Sequence, residues 1–340
     1  MKFTLPILIL QTIRIVLLSF LLSGIAFNAL ADAEQNDDGL KENLSRLFQS
    51  HEQLNIRLEG TFKELGKKRK EERPYSAANL IYKNEAGNDV RVELKMRVRG
   101  KNRAKKTTCS FPPLKLNFKK KTLEGTIFEG EDKLKLVTHC KNSSSYEQYV
   151  LLEYLNYRMH NLLTEYSLRP RLVTVEYYDT GSEKVIATKF GFFIEDKGRM
   201  ASRVGAELIK VKRINKEQYN QPLLHLATIF EYMLGNTDYS VALGPPNEDC
   251  CHNAIPLLSS DGSMIPVPYD FDATGIVNPP YVSPPKNLKI KSVRQRRYRG
   301  YCQDIDGFKS NFTVFQEQRG AIFDLYNNQE GLTSSSQKKT

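Results

Sequence analysis

Between Val90 and Val98 the chain alternates strictly: Val90, Val92, Leu94, Met96 and Val98 are apolar, while Arg91, Glu93, Lys95 and Arg97 are charged. A period of two puts the two sets on opposite faces of an extended segment, so this stretch predicts a half-buried antiparallel strand. Leu114-Lys115-Leu116-Asn117-Phe118 repeats the pattern, with Lys115 and Asn117 sharing one face. Lys133–Val137 predicts a third strand. Leu172–Tyr178 and Val185–Phe193, joined by the turn-rich Asp179-Thr180-Gly181-Ser182, predict two more. Elsewhere the period changes. Tyr149, Leu152, Leu155, Met159 and Leu163 recur at intervals of three and four, which predicts a helix from about Ser145 to Thr164. Leu223, Leu226, Ala227, Phe230 and Leu234 predict a second, from Gln218 to Leu234, with Gly235 where a C-terminal cap is expected.

At the start of the chain, Leu40, Leu44, Leu47, Phe48 and Leu54 fall at helical spacing among charged residues, so residues 32–74 read as a helical lead-in and linker. The end of the chain, residues 326–340, is rich in Asn, Gln, Ser and Lys and reads as a disordered tail. The order of strands, helix, strands, helices and a short hairpin suits an α+β protein. No internal repeat is visible.

The first residues carry Lys2 and Arg14, an uncharged apolar run from Ile15 to Ala26, and then Ala29-Leu30-Ala31, the small-x-small form that signal peptidase requires. Spanning a bilayer takes about 20 apolar residues, and Arg14 interrupts the run before that length. The pattern therefore predicts a signal peptide cleaved at about Ala31 and an exported, periplasmic or extracellular chain. Five cysteines, Cys109, Cys140, Cys250, Cys251 and Cys302, follow the leader, where disulfides would form. Cys109 and Cys140 flank two predicted strands and could staple them; Cys302 could reach Cys250 or Cys251; the odd count leaves one unpaired. No cysteine spacing suits zinc.

The net charge of +11 is distributed over local runs at Lys67–Lys70, Lys101–Lys106, Lys119–Lys121 and Lys289–Arg299. Such a surface attracts phosphate, acidic polymer or an anionic envelope surface. The chain carries no aromatic RNA-binding motif and no zinc finger, which argues against nucleic acid as a partner.

Chemistry concentrates after the second helix. Gly235-Asn236-Thr237-Asp238 is followed by His252-Asn253, the turn Ser259–Ser263, and Pro268-Tyr269-Asp270-Phe271-Asp272. An Asp on a loop, an Asn entering a hairpin and an Asp leaving it are the groups that phosphoryl transfer on magnesium uses: one carboxylate to orient the attacking oxygen, and hard oxygen ligands for the ion. Asp238 and Asn253 lie fifteen positions apart, but removing the Gly- and Pro-bearing stretch Ala242–Cys251 as a surface excursion restores an Asp-x-x-x-x-Asn spacing. His252 reads as a residue that orients this loop.

With Arg99-Gly100 after the clearest strand, Pro170-Arg171 before Leu172–Tyr178, and Gly191-Phe192-Phe193-Ile194-Glu195, the ordered set from about Ala78 to Asp272 resembles the spore coat protein H (CotH) family of atypical kinase-like proteins. That resemblance implies a two-lobed protein-kinase-like fold over residues 75–325, with a strand-rich N-lobe at about 75–212 and a mixed helical C-lobe at about 213–325. It implies Asp238 as the catalytic carboxylate, Asn253 and Asp270 as magnesium ligands and Asp272 as a supporting carboxylate. It further implies ATP or another nucleotide with Mg or Mn, a nucleotide-pairing lysine for which Lys115 is the choice, and a helix partner in Glu153 or Glu147. The acceptor would be a protein or a small molecule. The chain departs from kinases in lacking a Gly-x-Gly-x-x-Gly loop, since the candidate stretch Asn84–Asn88 holds only Gly87. A non-enzymatic envelope binding or assembly protein on a degenerate kinase fold is the alternative. A metal-dependent hydrolase would need more His and carboxylate ligands than the chain groups together.

Overall fold

The computed structural model describes residues 44–69, 72–301 and 305–340. The predicted leader and its expected cleavage point at about Ala31, and Cys302, lie outside the described residues. No described helix is long and apolar enough to cross a membrane.

Seven strands close on themselves. In chain order they are β1 (Leu54–Gly60), β2 (Ser76–Lys83), β3 (Asp89–Val98), β4 (Leu114–Phe118), β5 (Lys133–Val137), β6 (Pro170–Asp179) and β7 (Lys184–Ile194). Around the barrel the order is β1-β2-β3-β4-β5-β7-β6. Every neighbouring pair is antiparallel except the closing one, in which β1 runs parallel to β6 with Leu54 opposite Val173 and Leu58 opposite Tyr177. The alternation that marks β3 in the sequence is realised as burial: Val92, Leu94, Met96 and Val98 are inside, and Arg91, Glu93 and Lys95 are exposed. The barrel is filled rather than hollow. Tyr177 meets Phe111 at 4.5 Å and Phe62 at 5.5 Å between ring centroids, and Phe128 lies 5.4 Å from Phe118.

This closure overturns the two-lobed kinase-like fold. The described chain is a closed seven-stranded mixed barrel with a small second sheet and few helices. A kinase-type first lobe needs an open sheet, and β1 removes the free edge by pairing with both β2 and β6. The segment read as a helical lead-in supplies that strand. Only the short helical turns Arg46–Gln49 and Phe62–Leu65 flank it, because Ile56, Leu58 and Gly60 face inward with period two.

Helix α1 (Ser144–Leu163) crosses from β5 to β6 and is buried along most of its length. Its apolar side chains join Phe192 and Ile194 of β7, Leu172 of β6 and Phe271 in a second core outside the barrel. A short α2 (Lys197–Arg203) leads to β8 (Glu207–Leu208). Helix α3 (Gln221–Leu234) starts at Asn220, whose side chain accepts from the Leu223 N–H, and ends at Gly235 with φ +68°. It packs on the sheet β10-β9-β8, in which β9 is Ala254–Leu258 and β10 is Met264–Pro268. Helices α4 (Ile305–Glu317) and α5 (Arg319–Asn327) follow. Beyond them the polar tail turns back rather than trailing away: Leu332 is buried, and Gln337 Nε2 donates to the Tyr326 carbonyl.

Candidate active site

A cleft of about 590 Å³ opens where the barrel meets the helical part of the chain. The loop after β3 contributes Arg99, Lys101 and Arg103; β5 contributes Lys135 and α1 contributes Glu153. The other wall is Asp238 after α3, His252-Asn253 at the entry to β9, and Asp270 and Asp272 after β10. Five residues singled out from the sequence (Asp238, Asn253, Asp270, Asp272 and Glu153) therefore share one cavity.

The fifteen-position gap between Asp238 and Asn253 is closed by backbone pairing. The Ser240 N–H donates to the His252 carbonyl at 2.9 Å and the His252 N–H returns to the Ser240 carbonyl at 3.1 Å, so 242–251 leaves and rejoins the site as a loop. His252 Nε2 then lies 2.9 Å from Asp238 Oδ1. Asn253 Nδ2 donates to the Asp238 carbonyl at 2.6 Å and to its Oδ2 at 3.3 Å. The hydrogen bond His252 can donate to the Asp238 carboxylate holds its imidazole above its ordinary pKa, against the opposing effect of burial.

Asn253 and Asp270 sit in the left-handed region, at φ +51° and +65°. Asn and Asp tolerate that region better than other residues with a side chain, and the two turns aim both side chains at the cleft. The Asp270 N–H donates to the Tyr157 hydroxyl at 2.9 Å, and its carboxylate forms no hydrogen bond or ion pair among the described residues. Asp272 is differently placed. It accepts from the Tyr281 hydroxyl at 3.1 Å and lies 3.7 Å from Arg103. Burial, then the Asp270 charge, pushes its carboxyl up to about 6. Arg103 also meets Glu153 at 3.1 Å and the Thr138 carbonyl at 3.0 Å. Burial raises Glu153 to about 8, and the Arg103 charge opposes that rise.

Two sequence assignments change. Lys115 stands on β4 opposite Arg97 and Lys135, half-buried, and does not line the cleft. Its cross-strand neighbour Lys135 does, with its ammonium 5.8 Å from the Tyr269 ring and its pKa pushed down to about 8 by burial. Glu147 pairs with Lys189 at 2.7 Å, away from the cleft, while Glu153 takes Arg103 rather than a strand lysine. Asn84–Asn88 forms the turn between β2 and β3 and lines no part of the cleft. Arg103, Lys135, Tyr157 and Tyr281 were not read from the sequence as site residues. Arg103 lay inside a basic run with the look of solvated surface, and Lys133 and Lys135 carry the same alternation as Lys115.

Among the described residues, no group of three or more His, Cys, Asp and Glu side chains stands close enough to hold a metal ion. The donors present fit a different case. The Asn253 amide nitrogen is committed to Asp238, which leaves its oxygen, and the Asp270 carboxylate is unengaged. Two such oxygens suit a Mg²⁺ that keeps waters and arrives with phosphate ligands, and they are too few for a resident ion.

Cys109 is disulfide-bonded to Cys140, tying the loop after β3 to the end of β5, and Cys250 is bonded to its neighbour Cys251 at the rim of the cleft. No protein-family model matches the chain, and no curated protein matches it in sequence.

Proposed function

We propose that the cleft binds a nucleoside polyphosphate with Mg²⁺ or Mn²⁺ and that the protein transfers a phosphoryl group to a hydroxyl. One observation carries this reading: the Asp238 carboxylate, fixed by His252 and Asn253, shares a cavity with the unengaged Asp270 carboxylate and with Arg99, Lys101 and Lys135. A cation bound with the ligand would be held by Asp270 and Asn253 and would neutralise phosphate charge. The basic side chains bind the phosphates. Asp238 orients the acceptor hydroxyl and takes its proton as the new phosphorus–oxygen bond forms and the diphosphate leaves. The fold described above is not that of a kinase, and the proposal rests on the site alone.

An exported location belongs to the same reading, supported by the leader pattern and the two disulfides. A second reading, a binding or assembly protein that holds a polyanion without turning it over, is favoured by the small number of free metal donors.

Thermal unfolding of the oxidised chain, with and without millimolar ATP and Mg²⁺ or Mn²⁺, tests the site beside Asp270→Ala. A ligand at 100 times its Kd stabilises the folded state by about 2.7 kcal/mol, which a melting curve resolves as several degrees. The expected result is a metal-dependent shift in the parent that Asp270→Ala abolishes. No shift in either protein would overturn the nucleotide reading; a shift with ATP but no turnover against any hydroxyl would favour the binding protein.

A further inference from the structure

Asp238 and His252 line two cavities. The second, about 360 Å³, adjoins the first, shares Thr237, Pro245 and Pro285 with it as well, and is completed by Leu243, Leu288 and Arg299. We propose that this smaller pocket is the acceptor site and that it takes a hydroxyl-bearing residue within an acidic polypeptide segment. The proposal rests on the phosphoryl-transfer reading above for the use of the pocket, though its binding test stands apart from it.

The two pockets differ in chemistry. The larger has four cations and five carboxylates, Glu248 among them. The smaller has one cation, Arg299, one carboxylate, Asp238, and an apolar wall in which Leu243 is 48% exposed. A phosphate-dense ligand has little to bind there; a short side chain on an extended backbone fits in volume and polarity. A hydroxyl held in this pocket lies within reach of Asp238, which lines both cavities.

The surroundings specify the partner. Residues 273–301 contain seven basic residues (Lys286, Lys289, Lys291, Arg294, Arg296, Arg297 and Arg299) and no Asp or Glu. All seven are exposed, and among the described residues none forms an ion pair with a carboxylate. Lys286 and Lys289 flank the pocket residues Asn287 and Leu288 directly. Arg299 holds the pocket floor by donating to the carbonyls on either side of Asp238, of Thr237 at 2.5 Å and Tyr239 at 2.6 Å. An acidic segment laid along this strip would be steered and retained by charge, while Leu243 and Leu288 hold the residue next to the hydroxyl.

Fluorescence anisotropy tests this with a labelled peptide carrying one serine among glutamates and leucines, titrated with the full oxidised chain. The expected result is binding that weakens about tenfold in Leu243→Asp and in the Lys286→Glu/Lys289→Glu double variant, and that weakens with salt. Both sites are exposed or half-exposed, so the variants keep the fold. Equal binding of a peptide with serine among lysines, or unchanged binding in both variants, would overturn the proposal. So would a uronic-acid oligosaccharide that binds as tightly and loses as much in the variants, since the strip would then serve a polysaccharide. The melting shift with ATP and metal is read separately. Its loss with peptide binding intact would sink the transferase reading and leave this pocket as a peptide site; its presence without peptide binding would sink only the acceptor assignment.

Discussion

Arg103 and Glu153 meet at 3.1 Å across the cleft and join the loop after β3 to the middle of α1, with side chains 11% and 3% exposed. Arg103 is shared, since it also lies 3.7 Å from Asp272 and donates to the Thr138 carbonyl. Arg103→Ala, which leaves two buried carboxyls without their cation, is therefore expected to destabilise the chain by about 3–5 kcal/mol, whereas Glu153→Ala, which leaves Arg103 beside Asp272, should cost less. Urea unfolding of the two variants compares them directly, and equal midpoints would show that Arg103 acts only through Glu153.

Asp238 is more than half exposed in its side chain, so replacing it should cost little stability. Asp238→Asn is expected to keep the ATP-dependent melting shift and to lower turnover about 100-fold or more, the usual scale for losing a positioned general base. Measured transfer that falls only slightly would move the base elsewhere in the cleft.

His160 lies 4.7 Å from the Phe230 ring and is pushed by burial down to about 3; His139, stacked on Phe111, is pushed by burial down to about 4. Both are neutral in the folded chain, while an unfolded histidine takes up its proton near 6.5. Below that pH the unfolded state binds more protons. The stability these residues contribute is thus complete above about pH 6.5 and is lost as pH falls toward the folded values, at up to about 1.4 kcal/mol per pH unit for each. Raised carboxylates such as Glu231, pushed up to about 8 by burial, act in the opposite sense and lower stability as pH rises toward 8. His160→Gln should flatten the acid limb of a stability–pH curve, and an unaltered limb would place the acid sensitivity in other groups.

Gly235 ends α3 with φ +68°, and a Cβ there would lie 3.3 Å from the backbone of Gly275 and from the Val293 carbonyl. Gly235→Ala is expected to cost roughly 1–3 kcal/mol from the left-handed backbone and the contact together. The same variant should weaken ATP binding, because Asp238 lies three residues on. Calorimetry gives the first quantity and titration the second.

Cys109 and Cys140 close a loop across 31 positions. Chain-entropy arguments give such a link about 3–4 kcal/mol. Cys109→Ala/Cys140→Ala should lower the urea midpoint accordingly, and the parent in a dithiol reductant should approach the variant.

The sequence was most legible where one face is buried and the other wet. In β3 every second residue faces water and in β4, and in β5 as far as Leu136, every second residue is polar and at least partly exposed, and their predicted bounds nearly coincide with the observed ones. Helix α1 was equally plain, although its most consequential residue, Glu153, is a charge on the buried side. Two barrel strands escaped: β2, where alanines weaken the alternation, and β1, where Leu54 also fits the preceding helical spacing. Missing β1 concealed the barrel, because closure depends on a partner more than a hundred residues away that no local period reports. More of the cleft lining than of the barrel closure was legible. Asp238, Asn253, Asp270 and Asp272 could be found because turns expose such residues on sequence cues, whereas Arg103 and Lys135 are distinguished from other basic residues only by what surrounds them.

The parallel seam between β1 and β6 sets an order of events during synthesis. Five strands exist before β6 emerges; β1 presents an unpaired edge until Pro170–Asp179 is available, and β5 presents one until Lys184–Ile194 follows. A nascent chain that stalls before this point is an open sheet with a long-range contact still to make, slow to mature and prone to join its neighbours edge to edge. The intact chain has sealed that route. Premature termination should therefore yield aggregates in place of a smaller folded core.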